Sequence, residues 1–90
     1  MLIKARRMLV LPEGEAFKQL TKTYESNLIP IPGMYVQDSM WHDQLEICEV
    51  VCQFKEDCYY ILLPDLKINS PKSVEFEIET LSHHGWTVSP

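Results

Sequence analysis

Residues 45–63 read LEICEVVCQFKEDCYYILL, two apolar-rich runs held apart by Lys55-Glu56-Asp57. Along 45–54 one alternating set is Leu45, Ile47, Glu49, Val51, Gln53 and the other is Glu46, Cys48, Val50, Cys52, Phe54. One face is mostly apolar and the other half so, which predicts a central strand with Cys48 and Cys52 buried beside Val50 and Phe54. The run 58–63 is short enough for a buried strand that closes a hairpin with its predecessor, and Pro64-Asp65 ends it.

Working back toward the N-terminus, Met34, Val36, Asp38 and Met40 alternate with Tyr35, Gln37, Ser39 and Trp41, a strand that turns at His42-Asp43. The preceding Ile29-Pro30-Ile31-Pro32-Gly33 can neither continue a helix nor donate regularly to a sheet, so it is an extended connection. Within 13–26, Phe17, Leu20 and Tyr24 recur at helical spacing behind Pro12 and the acidic Glu13 and Glu15, and Asn27 can end a helix. That pattern predicts the amphipathic helix of the fold. Residues 2–11 alternate as a first strand, with Arg7 out of place on the apolar side, which predicts either a bulge there or a strand confined to 8–11.

Toward the C-terminus, Val74, Phe76 and Ile78 alternate strictly with Glu75, Glu77 and Glu79, which favours a strand. A helix competes, because Ser70-Pro71 resembles a helix start, Gly85 a helix stop, and Val74, Ile78 and Leu81 share a helical face. The helix would leave Phe76 pointing away from that face. Trp86-Thr87-Val88 predicts a short last strand. The expected fold is α+β, one domain over residues 1–90. Its sheet is mainly antiparallel, with four to six strands and the helix at about 13–26 packed on one face.

Composition narrows the function. The 90 residues are 46% hydrophobic and 23% charged, with three glycines and six prolines, a globular balance. Net charge is −5, split between +2 over residues 1–37 (five basic, three acidic) and −7 over 38–90 (three basic, ten acidic). Binding along a nucleic-acid backbone is therefore not expected. The N-terminus predicts no signal peptide, and no apolar run approaches a membrane span of about 20 residues. Three cysteines form no closed disulfide set, which predicts a cytoplasmic protein.

Several constellations invite chemistry. Cys48, Cys52, Cys58, His42, His83 and His84 are zinc-ligand types, but on a strand the C-x₃-C sulfurs fall about 13 Å apart, too far to share an ion, so no metal or other cofactor is expected. A cysteine nucleophile would need one of those histidines as base, and nothing singles out a thiol. Three scattered glycines write no phosphate-binding loop. Glu75, Glu77 and Glu79 would form a carboxylate row, either laddered to Lys4 and Arg6 or free to bind. Tyr35, Trp41 and Trp86 are aromatic side chains of the kind enriched at interfaces. The sequence thus favours a small, soluble, non-enzymatic protein acting by protein–protein interaction, as an inhibitor, immunity-type protein, adaptor or accessory subunit. The expected contact residues are Tyr35, Trp41, Glu75, Glu77, Glu79 and Trp86, and the expected partner a protein with a basic surface or a second copy. The alternative is a small enzyme or ligand-binding module whose helix–sheet or inter-subunit site uses His, Cys or Glu.

Overall fold

The computed structural model describes residues 1–12, 14, 16–69 and 74–89. At its centre runs β1 (Leu2–Val10), flanked on one side by β2 (Ala16–Glu25), antiparallel from Leu2↔Glu25 onward. On its other side β6 (Cys58–Leu62) and then β7 (Leu66–Lys67) both run parallel to it. β5 (Glu49–Gln53) pairs antiparallel with β6, and β8 (Thr87–Ser89) with β2, giving the order β5-β6-β1-β2-β8. A separate two-stranded piece joins β3 (Tyr35–Val36) to β4 (Leu45–Glu46). The single helix among the described residues is α1 (Val74–His83), so the α+β class and the mainly antiparallel sheet stand.

The helix is not where the sequence places it. Residues 16–25 are β2, and cross-strand register puts Lys18, Leu20, Lys22 and Tyr24 on the face shared with Leu9, Arg7, Ala5 and Ile3. Two lysines fall in phase with Leu20 and Tyr24, which scrambles the period-2 signal and leaves only the helical spacing visible. Thr21 and Thr23 on the other face suit a strand. Conversely, 74–83 is helical despite its alternation. Val74 and Ile78 are half-buried and Leu81 is fully buried, while Phe76 stays 69% exposed. Burying one helical face outweighs exposing one ring, which single surface aromatics tolerate.

A tight C-terminal cap fixes α1. Trp86 N–H donates to Leu81 O at 2.9 Å and Gly85 N–H to Ser82 O at 3.1 Å, with Gly85 at φ +87 as that cap requires. Leu81 and Trp86, the apolar pair that accompanies such a cap, both lie in the core with Leu9, Leu20, Ile47 and Ile61. The expected turn before the helix, Ser70-Pro71, lies outside the described residues.

β1 runs through Arg7 without a bulge; the only register shift falls between Leu9 and Val10. Arg7 remains on the covered face, 4% exposed. Its Nε donates to Pro64 O at 2.6 Å and its Nη2 to Asp65 O at 3.1 Å, two of the carbonyls between β6 and β7. The guanidinium thereby satisfies backbone acceptors where the parallel ladder breaks. The expected central strand at 45–54 is an edge instead, divided into β4 and β5, because β6 takes β1 as its second neighbour. Cys48 and Cys52 are consequently exposed, not buried, and only Cys58 is buried.

Candidate functional site

The segment after β2 determines the site. Pro30 and Pro32 deny residues 28–33 a regular ladder, and Leu28 (73%), Ile29 and Ile31 are left exposed, while Pro30 is buried. Gly33, at φ +91, turns the chain, and Gly33 N–H to Ile47 O (2.9 Å) and Ile47 N–H to Met34 O (2.8 Å) lead it into β3 and β4. The β3–β4 piece folds back over the covered face of the sheet, and Val36, Met40, Trp41 and Leu45 pack against its core.

Between this flap and the sheet lies a cavity of about 310 Å³. Ile3, Ala5, Ile61 and Leu63 form its floor, Trp41 and Leu45 part of its roof, and Leu28, Ile29, Met34 and Tyr35 border it. Met34 and Tyr35 are exposed, so the apolar lining runs out onto the surface. From Thr23 to Phe54 the chain contains no Lys or Arg, but it carries Glu25, Asp38, Asp43, Glu46 and Glu49. The mouth is therefore apolar within an acidic segment.

Asp38 fastens the flap. Its Oδ1 accepts from Lys22 Nζ at 2.7 Å and Tyr24 OH at 2.5 Å. Its Oδ2 accepts from Met40 N–H at 3.0 Å and Trp86 Nε1 at 3.1 Å. The Asp38 side chain is only 7% exposed. Burial alone would raise its pKa, but the bonds from Lys22, Tyr24, Met40 and Trp86 outweigh that and hold the carboxyl well below its usual range. Burial, with the bond to Asp38 added, pushes the Tyr24 hydroxyl up, so it remains a protonated donor. Trp41 completes the fastening: its ring meets Trp86 edge-on at 5.1 Å, and the Arg7 guanidinium lies 4.3 Å from its centroid. Burial brings Arg7 down to about 10, partly countered by Asp65, so it is charged at neutral pH.

The residues proposed from sequence separate into three places. Tyr35 stands at the cavity mouth, 63% exposed, and Trp41 lines the cavity, half-buried. Trp86 is 2% exposed and bonds Asp38, so it builds the site from within and offers no contact surface. Glu75 and Glu79 are exposed on α1 with Glu77 half-buried, so the carboxylates form no row. At 100° per residue Glu77 points away from the other two. Lys4 bonds Glu56 at 3.4 Å rather than this helix. His42, His83, His84 and the three cysteines do not line the cavity. Among the described residues no three His, Cys, Asp or Glu side chains converge as a metal would require. No helix among those residues is long and apolar enough to cross a membrane.

The sequence reading missed Leu28, Ile29, Met34 and Asp38. One signal was present: apolar side chains interleaved with prolines have little regular structure to be buried in. Asp38 gave none, since its side-chain partners lie 14, 16 and 48 positions away. Comparison with known protein families, with curated proteins and with solved structures finds no match.

Proposed function

We propose that this protein is a small non-enzymatic binding module that acts by protein–protein interaction. Its partner presents apolar side chains flanked by Lys or Arg. The apolar anchors enter the cleft over Ile3, Ala5 and Ile61, bordered by Leu28, Ile29, Met34 and Tyr35, and the flanking cations meet Glu25, Asp43 and Glu46. The observation that carries this reading is the apolar cavity opening onto exposed apolar residues within a segment devoid of Lys and Arg. Asp38 takes no part in recognition, because four donors already occupy its oxygens. Glu75 and Glu79 provide a second acidic contact on α1. Three free thiols agree with action in the reducing cytoplasm.

A second reading, a site for a small apolar molecule, draws support from the volume, which sits at the lower end of such pockets. Selection from a random displayed-peptide library separates the two. The protein-binding reading expects enriched peptides with aromatic or aliphatic anchors between basic residues, and loss of that enrichment in Ile29→Asp and Tyr35→Asp. Enrichment without basic residues, or enrichment untouched by both variants, contradicts it. A small apolar dye that binds while no peptide is enriched supports the second reading.

A further inference from the structure

The helix and the flap pack on one face of the sheet, where Leu81, Trp41 and Leu45 meet the core of Leu9, Leu20 and Ile61. On the other face, cross-strand pairing over β1, β6 and β5 sets out three rows. The first is Leu2, Cys58 and Gln53, the second Lys4, Tyr60 and Val51, and the third Arg6, Leu62 and Glu49. Leu2 and Val51 are exposed there, and Tyr60 and Leu62 half-buried. β1 and β6 are a parallel pair, and parallel strands are ordinarily covered on both faces. Arg6, Glu49, Val51, Tyr60 and Leu62 line one shallow groove of about 220 Å³, so pairing and groove agree that these side chains share the open face. Arg6 leans over the Tyr60 ring, 5.5 Å from its centroid, on one side of the groove, and Glu49 stands on the other. Both are exposed, and neither has an ion-pair partner among the described residues.

This face is complementary to itself. A two-fold axis laid along β6, between two such faces, exchanges the β1 side with the β5 side and keeps each row at its own height. Arg6 of each copy then stands over Glu49 of the other, Lys4 over Val51 and Leu2 over Gln53, while Tyr60 and Leu62 meet their own counterparts. Two reciprocal ion pairs flank an apolar centre. Facing sheets lie about 10 Å apart, a gap that an arginine and a glutamate side chain span together. An axis along β1 would set Arg6 against Arg6, one along β5 would set Glu49 against Glu49, and one across the strands at Tyr60 would set Lys4 against Lys4. We propose that the open face over β5, β6 and β1 is a homodimer interface with its two-fold axis along β6. β5 and β6 are each five residues long, so the patch is small and the association weak. The cleft lies on the opposite face, so this interface stands whether or not the cleft binds a peptide.

Sedimentation velocity on the full chain from about 10 μM to about 1 mM tests it, with circular dichroism confirming that each variant folds. The wild type should dimerise as concentration rises. Arg6→Glu and Glu49→Arg should each weaken the association about tenfold or more, since each turns two attractions into repulsions. Glu49→Arg is the sharper of the two: it brings the net charge of −5 closer to zero and so eases general repulsion between copies, yet should still weaken the dimer. The double variant Arg6→Glu/Glu49→Arg should regain wild-type association within about threefold. A wild type that stays monomeric at about 1 mM overturns the proposal, as does a Glu49→Arg variant that associates as well as the wild type, or a double variant that associates no better than either single one.

Discussion

Two carboxylates in this molecule each hold a lysine and a tyrosine, in opposite surroundings. Asp38 accepts from a lysine and a tyrosine on the covered face of the sheet, and Glu56 accepts from Lys4 (3.4 Å) and Tyr60 (2.7 Å) on the open face. Both carboxyls are pulled down, Glu56 first by the Tyr60 bond and then by the Lys4 charge. Lys22 and Asp38 are 18% and 7% exposed at their side chains, Lys4 and Glu56 34% and 48%. In water the second cluster exchanges one set of partners for another at little gain. The first cannot do so as freely: losing the carboxylate leaves a part-buried ammonium and phenol and a buried indole N–H without their acceptor. The same chemistry is thus a fastening in one place and a surface detail in the other.

The largest expected effect breaks the buried member. Asp38→Ala should cost about 3–5 kcal/mol in chemical denaturation and loosen the flap over the cavity, whereas a loss below about 1 kcal/mol would show that Asp38 does not fasten it. Tyr24→Phe removes one donor and keeps the ring, so about 1.5–3 kcal/mol is expected. The acid limb of stability sharpens the contrast. Asp38 has its folded pKa below its unfolded value of about 3.9, so its stabilisation is complete above that pH and drains away as pH falls through it. Wild type should therefore lose stability below about pH 4, and Asp38→Asn should show a flatter acid limb in pH-dependent melts. The smallest effect is a near-absence: Glu56→Gln should leave the melting temperature almost unchanged, at low salt and at high.

The same asymmetry explains what the sequence could disclose. Strands β1, β6 and β8 were legible because their neighbours in sequence carry the signal, as in the alternation of Ile3, Ala5 and Leu9 or the unbroken run Cys58–Leu62. β2 was not, since Lys22 faces the core only because Asp38 awaits it from 16 positions away. Helix α1 is hard to read in sequence because strict alternation of Val74, Phe76 and Ile78 fits a strand locally, and the burial of Leu81 against Trp86 decides for the helix. The edge position of β5, and with it the exposure of Cys48 and Cys52, follows from the parallel pairing of β6 with β1, a long-range fact that period-2 patterns do not encode. Aromatic character singles out Tyr35 and Trp41, which lie at the cavity, while the proline-spaced apolar rim beside them reads in sequence as a connection only.

Isoleucine methyl groups provide the most direct test of the cleft, because Ile3, Ile29, Ile47 and Ile61 line it while Ile31, Ile68 and Ile78 do not. Methyl spectra of the isoleucine-labelled protein should be recorded during titration with a synthetic peptide carrying aromatic and leucine anchors between lysines, and with its glutamate-flanked counterpart. Shifts should concentrate on Ile3, Ile29, Ile47 and Ile61, saturable with the lysine-flanked peptide and far weaker with the other. Shifts centred on Ile78, or equal for both peptides, would contradict the proposed role of the cleft.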